Sequence, residues 1–237
     1  MYDAVTPAPT DDEASKLINF VRGQDSYDEN NDSQTTDQRD WKLGDIYHSE
    51  MAIVGPPKAI DTELAGDTNT EEYFKLQNGY QAFIDANASR DTIIYVGAND
   101  GMLHAFKDSN DDKGEELWGF IPPNVLPKLR SMFSGVEGVT NPIYGVDGSP
   151  IVKDIFLSGQ WRTVLMAGLG REGYGYFALD VTNPSSPSFL FAFENDPQNE
   201  VIRHWADNGT LTVQDYSSVS SDYNYKKLGE ALATPTI

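Results

Sequence analysis

The sequence predicts an all-β chain: a partial β-propeller of about three blades of four-stranded antiparallel sheet, with short helical insertions. Three observations carry that expectation. The apolar run Ile93 to Gly97, a turn through Asn99-Asp100-Gly101 and a second run to Phe106 recur as Val164 to Gly168, a glycine-rich turn and Gly175 to Val181. The second copy has a lead-in, Asp147-Gly148-Ser149-Pro150-Ile151 onward, and an exit strand, Phe189 to Phe193, which makes four strands. Echoes of the lead-in stand at Gly44 to Val54 and Gly229 to Ile237, and of the exit strand at Glu116 to Ile121.

Before the first lead-in, Thr10 or Asp11 with Glu13 marks a helix start, Ala14, Leu17, Ile18 and Val21 keep helical spacing, and Gly23 follows as a stop. A polar, acidic loop then runs from Gln24 to Asp40, followed by a strand between Gly44 and Pro56. Thr70-Glu71-Glu72 with the stripe Tyr73, Leu76, Tyr80, Phe83 and Ile84 predicts one helix ending near Asn87, inserted between strands. Pro122-Pro123 with Val125, Leu126, Leu129 and Phe133 predicts a short helix, with Pro127 tolerated in its first turn. Residues Gln198 to Lys227 are rich in Ser, Asp, Asn and Tyr and read as a long loop holding one irregular strand. Two regions result: residues 1–43, a helix and acidic loop leading in, and residues 44–237, the partial propeller. Ile237 falls inside an apolar strand pattern, so the chain reads as a section of a longer protein.

Composition narrows the function classes. A chain of 237 residues, 39% hydrophobic and 11% aromatic, can bury a core. Its formal charge of -20 disfavours nucleic acid or an anionic membrane as partner and favours divalent cations. With no cysteine, disulfides and thiolate metal sites are excluded. No apolar run reaches the roughly 18 residues of a membrane span. The first twelve residues carry no cationic, apolar leader, so an export signal would lie upstream.

The sharpest candidate site is the loop Asp28 to Asp37. Oxygen side chains alternate at Asp28, Asn30 and Asp32, Gln34 offers a backbone carbonyl, and Thr36 and Asp37 follow. A Ca²⁺ loop needs that alternation, because the chain must curl around a hard ion with every second side chain inward. Ser33 stands where a glycine is usual and Arg39 where an EF-hand has its bidentate glutamate, so a plain acidic loop stays open as the other reading. A weaker match, Asp108, Asn110 and Asp112, sits where two strands join and reads as a hairpin turn.

Catalysis finds little footing. Gly97 to Gly101 leads into a strand, not the helix of a phosphate cradle. His48, His104 and His204 lie far apart, and His104 reads as a hydrogen-bonded structural residue. Ser149 lacks the second glycine of a hydrolase elbow, and Pro150 forbids its helix. Trp118 and Trp161 stand at corresponding strand ends, where indoles dock blade to blade; a sugar platform is the alternative.

Gly44-Asp45-Ile46, Tyr95 to Phe106, Val146 to Pro150, Trp161 to Leu165 and Gly175 to Val181 occur in an order that resembles the PilC/PilY-type type IV pilus biogenesis proteins. The resemblance runs from about Asp25 onward. It implies a carboxy-terminal seven-bladed propeller, exported to the cell surface, pilus tip or outer membrane of a Gram-negative bacterium. There it would support pilus assembly, control of retraction, adhesion and twitching motility without enzyme activity. The implied partners are pilin subunits, minor pilins and a host or abiotic surface. The family's regulatory calcium loop precedes a later blade strand with no counterpart here, so Asp28 to Asp37 rests on its own spacing. Two other readings are a quinoprotein dehydrogenase, of which only Gly114 to Trp118 echoes the blade motif, and a glycan-binding lectin.

Overall fold

The computed structural model describes residues 10–108, 112–136, 139–140, 144–171, 173–219 and 224–237. Two antiparallel sheets dominate it. The first has four strands in sequence order, β1 (Ala52–Val54), β2 (Ile93–Gly97), β3 (Leu103–Lys107) and β4 (Glu116–Phe120). A two-stranded hairpin, β5 (Phe133–Val136) and β6 (Val139–Thr140), separates it from the second sheet. That sheet has six strands, also in sequence order: β7 (Ile151–Leu157), β8 (Gln160–Gly168), β9 (Gly175–Asp180), β10 (Ser188–Asp196), β11 (Val201–Trp205) and β12 (Leu211–Asp215). The first strands of the two sheets, β1 and β7, touch, as the inner strands of neighbouring blades do.

The repeat seen in the sequence is a repeat in space. Ala52 pairs with Tyr95 two residues before Gly97, and Ile151 pairs with Met166 two residues before Gly168. One core cluster joins both sheets, with Tyr95, Leu103, Val146, Leu165, Phe177 and Leu179 all nearly solvent-free. Phe120 of β4 reaches Phe177 and Phe189 of the second sheet, with ring centroids 5.7 and 6.1 Å apart. Burial of such rings contributes roughly 25 cal/mol per Å² of apolar surface.

Between sheets, the strand-joining turns interlock with the lead-ins. A β-carbon on Gly97 would lie 2.1 Å from the Val146 carbonyl, and one on Gly168 would lie 2.6 Å from the Ala231 carbonyl. Glycine at both places is the condition for the backbones to close. Hydrogen bonds from Val146 N–H to Ala98 O (3.1 Å) and from Gly170 N–H to Ala231 O (3.2 Å) hold the two equivalent contacts. Ala231 thus stands to the second sheet as Val146 stands to the first.

Helix α1 (Asp11–Val21) forms as expected, with the reciprocal Thr10 and Glu13 capping bonds at 3.2 Å each. Three expectations need correction. The single helix between strands is two, α2 (Glu71–Gln77) and α3 (Tyr80–Ala86), because Gly79 adopts a left-handed φ of 69° and breaks the axis while the apolar stripe continues through it. The Gln198 to Lys227 loop holds a regular hairpin, β11 and β12, which widens the second sheet instead of starting a third blade. The lead-ins are mostly not strand: only Ala52–Val54 pairs in the first, and Gly229 to Ile237 contributes one bridge, Gly170 to Ala231. The short helix expected after Pro122-Pro123 forms in 3₁₀ geometry over Leu126–Met132, with Pro127 in its first turn.

Candidate functional site

The acidic loop is closed at its neck by a bridge between Gln24 and Gln38. Asp25, 2% exposed, organises it from beneath by accepting from Glu29 N–H (2.8 Å) and Asn30 N–H (3.3 Å). The expected ligands share this one loop, but most of the oxygens are turned to its own groups. The Asp28 carboxylate accepts from Asp32 and Ser33 N–H at 3.0 Å each. Asn30 Oδ1 accepts from Asp32 N–H (3.2 Å), and Asp32 takes Gln34 N–H (2.8 Å) and the Gln34 side-chain amide (3.1 Å). Asn30 also donates to Asp37 Oδ2 at 3.5 Å, while Asp37 Oδ1 is buried without a partner. Thr36 is exposed. Ser33, in the place usual for glycine, has a φ of 65°. Among the described residues no group of three or more His, Cys, Asp or Glu converges as a metal site. Asn110 of the weaker calcium match lies outside the described residues, whereas Lys107 pairs with Asp112 and Glu115 at the base of that turn.

A second constellation escaped the sequence reading. Each lead-in passes the turn of its own sheet, and His48 and Asp147 occupy the same position, four residues before Ala52 and Ile151. The Asp147 side chain, 1% exposed, accepts from His48 Nδ1–H at 2.6 Å and from His48 N–H at 3.2 Å. These residues, with Ser149, Arg171, Glu230 and Leu232, line an open cleft of about 450 Å³. His48 and Asp147 are 99 positions apart, so only the blade repeat could have paired them in advance.

His104 is the structural residue expected. Its ring is 4% exposed, with Nδ1 2.7 Å from Glu116 Oε1 and Nε2 3.0 Å from Asp100 Oδ2. Burial pulls the imidazolium pKa down, but the two carboxylates outweigh it and the net shift is upward. Asp100 also accepts from Gly44 N–H at 2.8 Å, tying the first lead-in to the turn.

The tryptophans divide. Trp118 docks between sheets, its indole N–H donating to Pro184 O at 2.7 Å. Trp161, expected to do likewise, instead pins the helical insertion: its N–H donates to Asn78 O at 2.8 Å, and Tyr80 packs on it with centroids 4.7 Å apart. The exposed indole is Trp41, 85% accessible in the linker before the first lead-in.

This interlocked sheet pattern coincides with a match to the family model described as the PilY1 beta-propeller domain, over residues 43–210. The chain belongs to the PilY1 β-propeller family. Type IV pilus biogenesis factor PilY1 of Pseudomonas aeruginosa is 38% identical over 192 residues, which cover 81% of this chain and 15% of that protein. A PilY1 homolog of Xylella fastidiosa is 38% identical over 179 residues, 75% of this chain and 14% of that protein. The chain therefore spans about one seventh of the length of these PilY1 relatives. The crystal structure of the Pseudomonas aeruginosa PilY1 C-terminal domain aligns at 30% identity over 70% of this chain and 35% of that one, with a TM-score of 0.45. No helix among the described residues is long and apolar enough to cross a membrane.

Proposed function

We propose that the chain is a non-catalytic module of type IV pilus biogenesis: a set of propeller blades, exported to the surface of a Gram-negative bacterium and carried at the pilus tip or outer membrane. Its rim loops meet pilin subunits and minor pilins, support assembly, oppose retraction, and contribute to adhesion on host or abiotic surfaces and to twitching motility. The observation that carries this reading is the family match, which begins at the first lead-in and covers β1 to β11. The full-length protein bearing Gly97→Ala and Gly168→Ala together tests it in a strain lacking the native gene. Loss of surface pili and twitching with the protein still exported is expected; wild-type motility without any form of the protein would refute the reading.

The same proposal keeps Ca²⁺ as the guest of the Asp28 to Asp37 loop, on the alternation of oxygen side chains. Binding requires Asp28 and Asp32 to exchange the N–H groups they now accept from for the ion. Calorimetry with CaCl₂ is expected to show heats that vanish in Asp28→Ala plus Asp32→Ala. Equal heats in both proteins would remove this site and leave the pilus reading intact.

A further inference from the structure

Strand β12 forms one edge of the six-stranded sheet. Tyr216 N–H donates to Glu200 O and Ala206 N–H to Thr210 O, which places the hydrogen-bonded pairs of the β11–β12 ladder on the even-numbered residues of β12. The N–H and C=O groups of Leu211 and Val213, and the N–H of Asp215, therefore point away from β11, and no partner for them stands among the described residues. Residues Leu211 to Gln214 carry no charge and no proline, and their register with β11 has no bulge, so the usual guards of an exposed edge are missing.

The two faces of this edge differ. One presents Leu211 and Val213, 46% and 51% exposed. On the other, Ile202, His204, Thr212 and Gln214 line a pocket of about 160 Å³, and Gln214, in its wall, keeps a buried amide oxygen with no hydrogen-bond partner. An orphan acceptor is costly, and a donor that reaches it recovers the cost. The surrounding charge is negative: Asp207 stands in the β11–β12 turn, Glu200 and Asp215 stand at the opposite end, and the hairpin's own cation, Arg203, is taken up by Glu194 and Asp196. A formal charge of -20 works against pairing with a second copy of the chain and for a cationic partner.

We infer that β12 is a docking edge for an extended, cationic strand of another protein, which adds to the sheet with apolar side chains beside Leu211 and Val213 and lysine or arginine on the face of Gln214. An added strand lies about 4.8 Å from β12, so a long side chain can cross β12, lay its stem on Ile202 and donate to the Gln214 amide oxygen. The family match ends at residue 210, so β12 lies outside the matched framework. The inference stands apart from the pilus assignment and from the acidic loop.

Fluorescence anisotropy with the full-length protein and two short capped peptides, one alternating valine with lysine and one alternating valine with glutamate, tests the inference. The lysine peptide is expected to bind and the glutamate peptide is not. Binding should slow amide exchange at Leu211, Val213 and Asp215, while Thr212 and Gln214, already paired with β11, change little. Affinity should be lost in Val213→Pro, which removes an N–H that β11 does not use, and weakened about 10-fold in Gln214→Met. Should Val213→Pro not fold, Val213→Lys at the same exposed position decides: lost binding supports the edge and unchanged binding sinks it. No binding of the lysine peptide, equal binding of both peptides, unchanged affinity in Gln214→Met, or binding that leaves the three amides as fast as before would overturn the inference. So would slow exchange at those amides before any peptide is added, which would assign the edge to this protein's own chain, or self-association that Val213→Lys abolishes, which would make a second copy the occupant.

Discussion

Replacing Gly97 by alanine should loosen the two sheets from one another without touching any strand pairing. The added β-carbon would stand 2.1 Å from the Val146 carbonyl oxygen and 2.8 Å from Val146 Cγ1, both backbone-anchored neighbours in the core. Ordinary contact begins near 3.4 Å, so the lead-in must retreat by more than an ångström. Overpacking of this kind costs about 1–3 kcal/mol. The Val146 N–H to Ala98 O bond of 3.1 Å stretches with it, for a further ~1 kcal/mol. Against this, alanine restricts the unfolded chain and returns about 0.4–1 kcal/mol. The net is a destabilisation of about 2–3 kcal/mol. With a urea m-value of about 2–3 kcal/mol/M, the midpoint followed by tryptophan fluorescence should fall by roughly 1 M. Gly66→Ala, where nothing lies within 4 Å, serves as control and should move the midpoint little. A Gly97→Ala midpoint within experimental scatter of the control would refute the interlock.

The raised pKa of His104 makes stability depend on pH. The stabilisation from charged His104 is fully present below its unfolded value of about 6.5 and is lost as pH rises through the higher folded value. Urea midpoints across pH 5 to 9 should therefore fall in that window for wild type and stay flatter for His104→Gln; parallel profiles would dismiss the two-carboxylate clamp. Trp161→Phe removes the 2.8 Å bond to Asn78 O and should cost ~1 kcal/mol, with faster amide exchange confined to α2 and α3. Unchanged exchange there would show that the indole does not hold the insertion. Removing Arg203 as Arg203→Met leaves Glu194, whose pKa burial already raises, without its 2.6 Å partner. The side chains are only 26% and 16% exposed, so a loss of about 1–3 kcal/mol is expected, recovered in part by adding Glu194→Leu. No recovery would mean that the guanidinium acts through other contacts.

Strands with one buried face and glycine-marked turns were legible: β2, β3 and β7 to β10 fall where their alternation and turn residues put them. So was α1, because its capping box is a local device. What the pattern hid has physical reasons. On β12, Leu211, Thr212 and Val213 are all exposed, so no inward and outward alternation marks the strand; pairing with β11 alone defines it. The α2–α3 break is invisible to periodicity because Tyr80 resumes the stripe that Tyr73 and Leu76 begin, although Asn78-Gly79 is a common helix stop. The lead-ins looked like strands because they are apolar, yet Ile46, Tyr47, Met51 and Leu232 are exposed, and the contacts to the turns are made by backbone groups and carboxylates. The acidic loop was visible as spacing, while the His48 and Asp147 pair exists only once two lead-ins stand side by side.

The central claim is that the second and third lead-ins, through Val146 and Ala231, each lock onto the turn of the sheet before them, and amide hydrogen exchange resolved by residue tests it most directly. Val146 and Ala231 lie outside the strands, and their N–H groups are held at 3.1 Å by Ala98 O and at 2.7 Å by Gly173 O. Both amides should exchange as slowly as those of β2 and β8; exchange at the rate of an open loop would contradict the account.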